Sequence, residues 1–239
     1  MSTVTFTRAG MQRGARVALP LSVGLIPFGL VVGVVSQAKG LTLFEAVLMS
    51  ATVFAGASQL VALESWSDPA PVLGAATAAF VVNLRMALMG PVLAPWLDRL
   101  HGWRLWGSLA LLVDHGFALS ITEMRSGRND AGFLLGVGVL LWVMWVLQTV
   151  AGHVLGAVAR FPPGHPLYFG ATAAFITLLV PMWRGRADLL PWTAAAAVAL
   201  AVNRALPGTA WHVVVGAVAG AIVGVAQKRW NSAREGTAR

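Results

Sequence analysis

The chain has 239 residues, of which 57% are hydrophobic and 11% are charged, and its mean hydropathy is +0.74. Soluble domains contain about 25% charged residues, so this composition indicates an integral membrane protein and excludes nucleotide-binding, zinc-finger and secreted disulfide-rich domains. The chain has no cysteine, which excludes disulfides and thiolate metal sites. In a membrane protein the formal net charge of +8 is first a signal of orientation.

The predicted fold is all-α: a single polytopic membrane bundle over residues 1–239. A membrane-crossing helix needs roughly 20 mostly apolar residues, and about eight segments satisfy this requirement. The third contains Pro91 and Pro95 and is equally compatible with a broken or re-entrant helix, which would leave about seven spans. The predicted spans are 17–38, 43–66, 70–97, 104–124, 131–158, 166–183, 187–204 and 209–227.

The distribution of Lys and Arg predicts the orientation, because cytoplasmic loops carry the excess of these residues. With both termini in the cytoplasm, eleven cationic residues lie on the cytoplasmic side and five on the other. We therefore expect a multi-pass protein of the bacterial plasma membrane with both termini inside. The five cations predicted outside are Lys39, Arg99, Arg104, Arg160 and Arg204.

A faint internal repeat relates two halves of the chain, 17–124 and 131–227, at a shift of about 120 residues. Its best match places the Gly29/Gly33 pair over Gly152/Gly156. Many secondary transporters are built from such repeats, with the substrate site near the bilayer midplane. An even number of spans between the copies makes the repeat parallel and an odd number makes it inverted, and both alternatives stay open.

Two stretches place polar groups inside predicted spans, where a charged side chain costs about 2.5–3.5 kcal/mol by insertion scales. In the first, Gly56 and Ala57 precede Ser58 and Gln59. Small residues allow close backbone approach and leave carbonyls free for a ligand. Plain helix packing with one interhelical hydrogen bond explains the pattern equally well.

The second stretch contains Asn83 and Arg85. A buried guanidinium clamps a carboxylate with two hydrogen bonds, so Arg85 is a candidate to hold the carboxylate of an amino acid. The alternatives are a structural ion pair with Asp114 and an arginine that reaches the membrane surface. Asp114 and His115 are the acid–base pair of the predicted interior, and such pairs mark proton-coupling sites.

Other motifs favour packing over chemistry. Gly216, Gly220 and Gly224 form a ridge on the last span that is typical of close helix contact. No histidine lies in a metal-ligand spacing, so we expect neither a metal nor another cofactor. Gly56-Ala57-Ser58 superficially resembles the nucleophile of an intramembrane serine hydrolase, with His212 as its base, but the spacing does not match.

The motifs together resemble the AzlC family, the large subunit of branched-chain amino acid exporters. The resemblance rests on Phe54-Ala-Gly-Ala-Ser-Gln59, Asn83-Leu-Arg-Met86 and Leu112-Val-Asp-His-Gly-Phe117, and covers nearly the whole chain. It implies export of leucine, isoleucine, valine and related small apolar amino acids such as methionine, and a small membrane partner of the AzlD type. His115 departs from the family pattern, which often has a second acid there, so proton coupling would fall to Asp114, to His115 or to neither.

The leading hypothesis is thus a secondary exporter whose cavity is lined by Gly56, Ser58, Gln59, Asn83 and Arg85, with Asp114 and His115 as coupling residues. The absence of an ATP-binding loop leaves ion or substrate gradients, or another chain, as the energy source. A passive channel for small apolar amino acids is the main alternative, and an intramembrane serine hydrolase is the remote one.

Overall fold

A computed structural model of the chain describes residues 4–64, 66, 72–83, 86–87, 89–159, 183, 185–207 and 211–237. Within these ranges the regular secondary structure is helical, apart from an isolated β-bridge between Thr5 and Asp130. The all-α prediction is therefore confirmed. The sixth predicted span, 166–183, lies outside the described residues except for its last residue.

Eleven α-helices form the described part of the bundle, and most are shorter than the predicted spans. Their bounds are α1 Arg8–Gly24, α2 Ile26–Ala38, α3 Leu43–Val53, α4 Gly56–Glu64, α5 Val72–Asn83, α6 Gly90–Leu97, α7 Trp103–Ala110, α8 Asp114–Arg125, α9 Gly132–Ala159, α10 Leu189–Ala205 and α11 Trp211–Thr237.

Helix α9 is the central helix of the described bundle, since α1, α2, α3, α7 and α8 all pack against it. It has 28 residues and is shifted by one position relative to the predicted span 131–158. At 1.5 Å per residue it is about 42 Å long, more than the roughly 30 Å hydrocarbon core of a bilayer. Among the described residues it is the one helix both long and apolar enough to cross a membrane by itself. The pair α1–α2 qualifies as a second, bent by 61° where the helices meet.

Helices α1 and α2 run alongside α9 in the same direction. Gly14 faces the backbone of Phe133 near the start of α9, whereas Gly33 faces the carbonyl of Thr149. Gly152 in turn faces the backbone of Leu30, and none of these glycines has room for a Cβ atom. The glycine pairs that the predicted repeat superimposes thus pack against each other.

The N-terminus is tied to the segment that precedes α9. Thr7 caps α1, since its hydroxyl accepts from the Gly10 N–H at 2.9 Å, and it also donates through its N–H and hydroxyl to the Asp130 carboxylate. Thr5 exchanges backbone hydrogen bonds with Asn129 and Ala131. The sequence predicts these two segments on one side of the membrane, and we call this side of the bundle the N-terminal end.

The predicted fourth span, 104–124, does not cross the bundle. The start of α7 lies at the N-terminal end, where the ring of Trp103 packs edge-on against Phe6 at 5.7 Å. The last turn of α8 has returned there, since Glu123 pairs with Arg13 of α1. The chain therefore enters the bundle from the N-terminal end as α7 and turns near Leu111, which packs against Gly138 of α9. It then returns to the same end as α8, so that α7 and α8 form a re-entrant V.

This V corrects both the span and the charge assignment. Helices of 8 and 12 residues are about 12 and 18 Å long, too short to cross about 30 Å of hydrocarbon. The prediction that Arg99 and Arg104 lie opposite the N-terminus is wrong, because Arg104 stacks over the Phe6 ring at 5.2 Å and Arg99 lies in the short connection between α6 and α7, four residues before α7 begins. The N-terminal end is thus more basic than predicted.

The second predicted span, 43–66, is also interrupted. Helix α3 begins with a capping box of Thr42 and Glu45 and ends at Phe54, which has a left-handed backbone with φ 43°. The amide of Gln59 then donates to the Ser50 hydroxyl at 2.8 Å. Nine residues of straight helix would separate these positions by about 13.5 Å, so the chain bends sharply at Phe54, and α4 packs against α2 and α5.

The last two described helices form an antiparallel hairpin of regular construction. The glycine ridge of α11 packs on small residues of α10, Gly216 against Ala195 and Ala199 and Gly220 against Ala195. The predicted packing role of this ridge is therefore confirmed. Large apolar side chains such as Leu200 and Ile222, 61% and 64% exposed, cover the outside of the hairpin, as expected of a surface in contact with lipid.

Candidate functional site

Three helix breaks lie around the middle of α9. The α1–α2 break is held where Gln148 donates to the Ser22 carbonyl at 2.9 Å. The α3–α4 break lies beside Trp142, whose indole N–H donates to the Ala51 carbonyl at 2.9 Å. With the α7–α8 break at Gly138, these attachments fall within about 15 Å along α9. Broken helices at mid-depth are where transporters place substrate and ion sites.

Gly56 is the first residue of α4 and lies where α4 packs most tightly against α2 and α9. A Cβ atom there would come within 2.6 Å of both the Phe28 ring and the Trp145 ring. These two rings pack edge-on at 5.4 Å. Only glycine therefore lets the beginning of α4 approach α2 and α9, which gives a physical reason for the small residue that the sequence pattern singled out.

The start of α4 presents backbone donors. The first hydrogen bond of its ladder joins the Gln59 N–H to the Ala55 carbonyl at 2.9 Å. The N–H groups of Gly56, Ala57 and Ser58 consequently have no acceptor within the helix. Together with the helix dipole, such groups make a helix start attractive to an anion.

Gln59 is held in a closed network. Its side-chain oxygen accepts from the Trp145 indole N–H at 2.9 Å, and its amide donates to Ser50, which is 2.9 Å from the Thr149 hydroxyl. Gln59 is 1% exposed and Thr149 is fully buried. The amide joins α4 to α3 and α9 and fixes the position of the α4 start. In this conformation Gln59 therefore positions the site, and its side-chain polar groups are bonded to other residues of the protein.

Ser58 and Asn83 join α4 to the end of α5. The Ser58 hydroxyl donates to the Asn83 side-chain oxygen at 2.7 Å. Because its single proton is committed to an amide oxygen, Ser58 is not activated by a base, which a hydrolytic nucleophile requires. Arg85 lies outside the described residues, two positions after the last residue of α5.

Asp114 and His115 begin α8, directly after the bottom of the V. Val113 has extended backbone, φ −134° and ψ 166°, and Asp114 is the acidic residue of the first helical turn, where the dipole favours negative charge. Both residues are half-buried. The predicted acid–base pair therefore lies at a helix start, as do Gly56 and Ser58, and both helix starts are attached to the middle of α9.

Sequence analysis missed Glu123, at the far end of α8. Its carboxylate is 2.8 Å from Arg13 Nε and 2.9 Å from Arg128 Nε, and its side chain is 6% exposed. The hydrogen bond and negative charge of Glu123 raise the pKa of Arg128 further above its usual value. The sequence did contain a signal for this position of Glu123. Cations lie at both ends of the segment 104–124, which suggests that both ends are on the same side of the membrane.

His153 has a structural role in the described part of the chain. It is 7% exposed, and its Nε2 lies 2.9 Å from the Leu41 carbonyl. The hydrogen bond attaches the segment between α2 and α3 to the last third of α9. His153 therefore fixes the beginning of α3 and lies away from the two helix starts.

The comparisons with known proteins agree with a membrane protein of this type. The chain is 27% identical over 230 residues to an uncharacterized membrane protein of Archaeoglobus fulgidus, covering 93% of this chain and 96% of that one. It is 26% identical over 235 residues to the inner membrane protein YgaZ of Escherichia coli, covering 94% of both. No solved structure matches.

The branched-chain amino acid transport protein AzlC of Bacillus subtilis is 24% identical over 172 residues, which cover 69% of this chain and 65% of that protein. The AzlC protein family itself matches residues 20–159. This match is more than half of the chain and contains every helix break described above. The resemblance noted in the sequence is thereby confirmed, and the chain is a membrane protein that belongs to the AzlC family.

Proposed function

We propose that the chain is the large subunit of a secondary transporter that exports branched-chain amino acids and methionine across the bacterial plasma membrane. The observation that carries the proposal is the attachment of two helix starts to the middle of α9, that of α4 through Gly56 against Trp145 and that of α8 through Gly116 against Val137. Transport of branched-chain amino acids is also the function in the name of the Bacillus subtilis relative.

The two helix starts suit the two charges of an amino acid. In this proposal the substrate carboxylate binds the N–H groups of Gly56, Ala57 and Ser58, where the helix dipole is positive. The α-ammonium group binds Asp114 at the start of α8. The apolar side chain then packs against the partly buried ring of Phe28 beside Gly56.

Arg85 and Asn83 extend this carboxylate site. Arg85 contributes a two-point clamp for the carboxylate, while Asn83 holds Ser58 and thereby the first turn of α4. A point charge does not reproduce the planar geometry of a guanidinium. We therefore expect Arg85→Lys to lower leucine export nearly as much as Arg85→Ala, and normal export by Arg85→Lys would reduce Arg85 to a structural cation.

Asp114 and His115 provide the coupling in this proposal. Protonation of Asp114 removes the anion that holds the α-ammonium group, so substrate binding and proton binding exclude each other. Because α8 connects Asp114 to Glu123 through about two and a half helical turns, a movement of its start reaches the ion pairs with Arg13 and Arg128. These pairs hold the C-terminal end of α8 in place in the present conformation.

The proposed topology places both termini in the cytoplasm. Arg99 and Arg104 join Arg8, Arg13 and Arg16 at the N-terminal end, which strengthens the positive charge there relative to the count from sequence. The proposed complex also contains a small membrane partner of the AzlD type. The apolar outer surface of the α10–α11 hairpin is available for contact with lipid or with this subunit.

Efflux from vesicles tests transport and coupling together. Vesicles containing the chain and its small partner are loaded with labelled leucine, and efflux is followed with and without a proton gradient. The proposal predicts saturable efflux that the gradient accelerates and that Asp114→Asn makes insensitive to it. Equal flux under both conditions would identify a passive facilitator instead, and no efflux above empty vesicles would contradict transport.

Resistance of cells to a toxic leucine analogue tests substrate and partner. The proposal predicts resistance when the chain and the adjacent small membrane gene are expressed together and little resistance with either one alone. Resistance from the chain alone would remove the partner from the proposal. Full resistance conferred by Ser58→Ala would dispose of the hydrolase alternative.

A further inference from the structure

A surface cavity of about 530 Å³ lies at the N-terminal end, between the beginning of α1 and the beginning of α7. It is separate from the helix breaks, and neither the family nor the proposed transport site assigns it a role. Its described walls combine cations with aromatic and thioether surface. The lining residues are Phe6, Arg8, Met11, Gln12, Trp103 and Arg104.

The cavity is positively charged. Arg8 and Arg104 both line it, and no acidic residue is among its described walls. The acid of the adjoining segment, Asp130, is already bound by the N–H and hydroxyl of Thr7 and by the Gly132 N–H. Two guanidinium groups without a carboxylate between them favour an anionic ligand with several acceptor oxygens.

Arg104 is positioned by the aromatic rings. Its guanidinium lies 5.2 Å from the centre of the Phe6 ring and 5.9 Å from that of Trp103. The two rings pack edge-on at 5.7 Å. Stacking fixes the plane of a guanidinium and leaves its N–H groups available at the edges, so the arginine is held ready to bind an oxyanion.

The depth of the cavity in the membrane follows from its tryptophans. Trp103 and Trp106 are 65% and 69% exposed on α7, and exposed indoles in membrane proteins lie at the level of the lipid headgroups. Met11 and the Trp103 ring provide apolar surface in the same cavity as the arginines. The cavity therefore offers one surface for a phosphate and another for the beginning of an acyl chain.

We propose that this cavity binds the headgroup of an anionic phospholipid from the leaflet at the N-terminal end. The phosphate oxygens bind Arg8 and Arg104, and the glycerol and upper acyl carbons pack against Trp103 and Met11. Basic pockets between membrane helices bind anionic headgroups in this way. The apolar wall favours a lipid over free phosphate, and the inference does not depend on the proposed function.

Thermal melting of the purified full chain in detergent tests the site. Short-chain phosphatidylglycerol is titrated, with short-chain phosphatidylcholine and inorganic phosphate as comparison ligands. The proposal predicts that phosphatidylglycerol raises the melting temperature at concentrations where the other two do not. Combining Arg8→Gln with Arg104→Gln should weaken its apparent affinity about tenfold or more.

A matched control separates the site from general charge. Arg16→Gln combined with Arg99→Gln removes the same charge from the same end of the bundle, outside the cavity, and should change the affinity less than about twofold. Equal losses in the two double variants would contradict the proposal. If inorganic phosphate alone stabilised the protein to the same extent, the site would be assigned to a free anion, and the proposal of a lipid ligand would be wrong.

If the double variant does not fold, the single variant Arg8→Gln still tests the proposal. Arg8→Gln alone leaves the stack of Arg104 on Phe6 and Trp103 intact, and the proposal predicts a loss of about fivefold in phosphatidylglycerol affinity. Unchanged affinity in this folded variant would contradict the assignment of Arg8 to the headgroup.

Discussion

The segment matched by the family and the α10–α11 hairpin are two different solutions to helix packing in a membrane. The first buries serines, amides and a glutamate, and three pairs of its helices are broken beside α9. In the described hairpin α10 has no buried residue, and glycines meet alanines along two uninterrupted helices. Buried polar groups are costly in a membrane, so their concentration beside α9 is a reason to place the proposed site in this region.

The largest predicted difference between the two regions is the loss of stability when a glycine is replaced by alanine. Gly152→Ala should destabilise the protein by about 3 kcal/mol, because the new Cβ would overlap the backbone of Leu30, which has no flexible end to move away. Gly224→Ala in α11 is the control, because its Cβ would make an ordinary contact with the Pro191 ring at 3.6 Å. Thermal melting in detergent measures both, and equal effects would remove the contrast in packing.

The next difference concerns buried hydrogen bonds. Gln59→Leu keeps the shape of the side chain but leaves the Trp145 indole N–H without its acceptor, and should cost about 2 kcal/mol. Thr193→Val in α10 removes a hydroxyl that bonds only to its own helix at the exposed surface, and should change stability by less than about 0.5 kcal/mol. A neutral Gln59→Leu variant would show that the network around α4 is dispensable.

A smaller effect is expected at the end of α8. Glu123→Gln should cost about 1.5 kcal/mol, between the values for buried and exposed ion pairs, because Glu123 is buried whereas Arg13 is 38% exposed. A double-mutant cycle with Arg13→Gln measures the pair itself. A coupling energy of zero would mean that the ion pair does not hold α8 against α1.

The smallest effect is predicted for the second partner of Glu123. Arg128 is 57% exposed, so Arg128→Gln should lower the melting temperature less than Arg13→Gln does, because solvent weakens exposed ion pairs. Salt screens exposed pairs strongly, and this small effect should disappear at high ionic strength. A larger loss than in Arg13→Gln would reverse the order of the two pairs.

The sequence predicted the straight parts of the fold well. The span predicted at 131–158 differs from α9 by one residue, because a long apolar run between charged segments has one stable arrangement in a bilayer. The packing of the glycine pairs and of the α11 ridge also follows from residue size alone. The predicted site residues Gly56 and Asp114 are each the first residue of a helix, since small or polar residues in apolar runs mark interrupted helices.

The reversals of chain direction could not be read from hydropathy. Leu111–Val113 is as apolar as a spanning helix and contains neither glycine nor proline, so nothing local distinguishes a V from a crossing. The bend at Phe54 likewise depends on tertiary contacts, those of Gln59 with Ser50 and Trp145. Only long-range packing reveals that Arg104 and Glu123 return to the same end.

Substrate protection at the two helix starts tests the central claim most directly. Since the chain has no cysteine, Ala57→Cys and Val113→Cys introduce single labelling sites, and Ser126→Cys in the exposed turn after α8 serves as the control. The account predicts that leucine slows maleimide labelling at residues 57 and 113 and leaves residue 126 unaffected. Labelling of both helix starts at the same rate with and without leucine would contradict a substrate site between them.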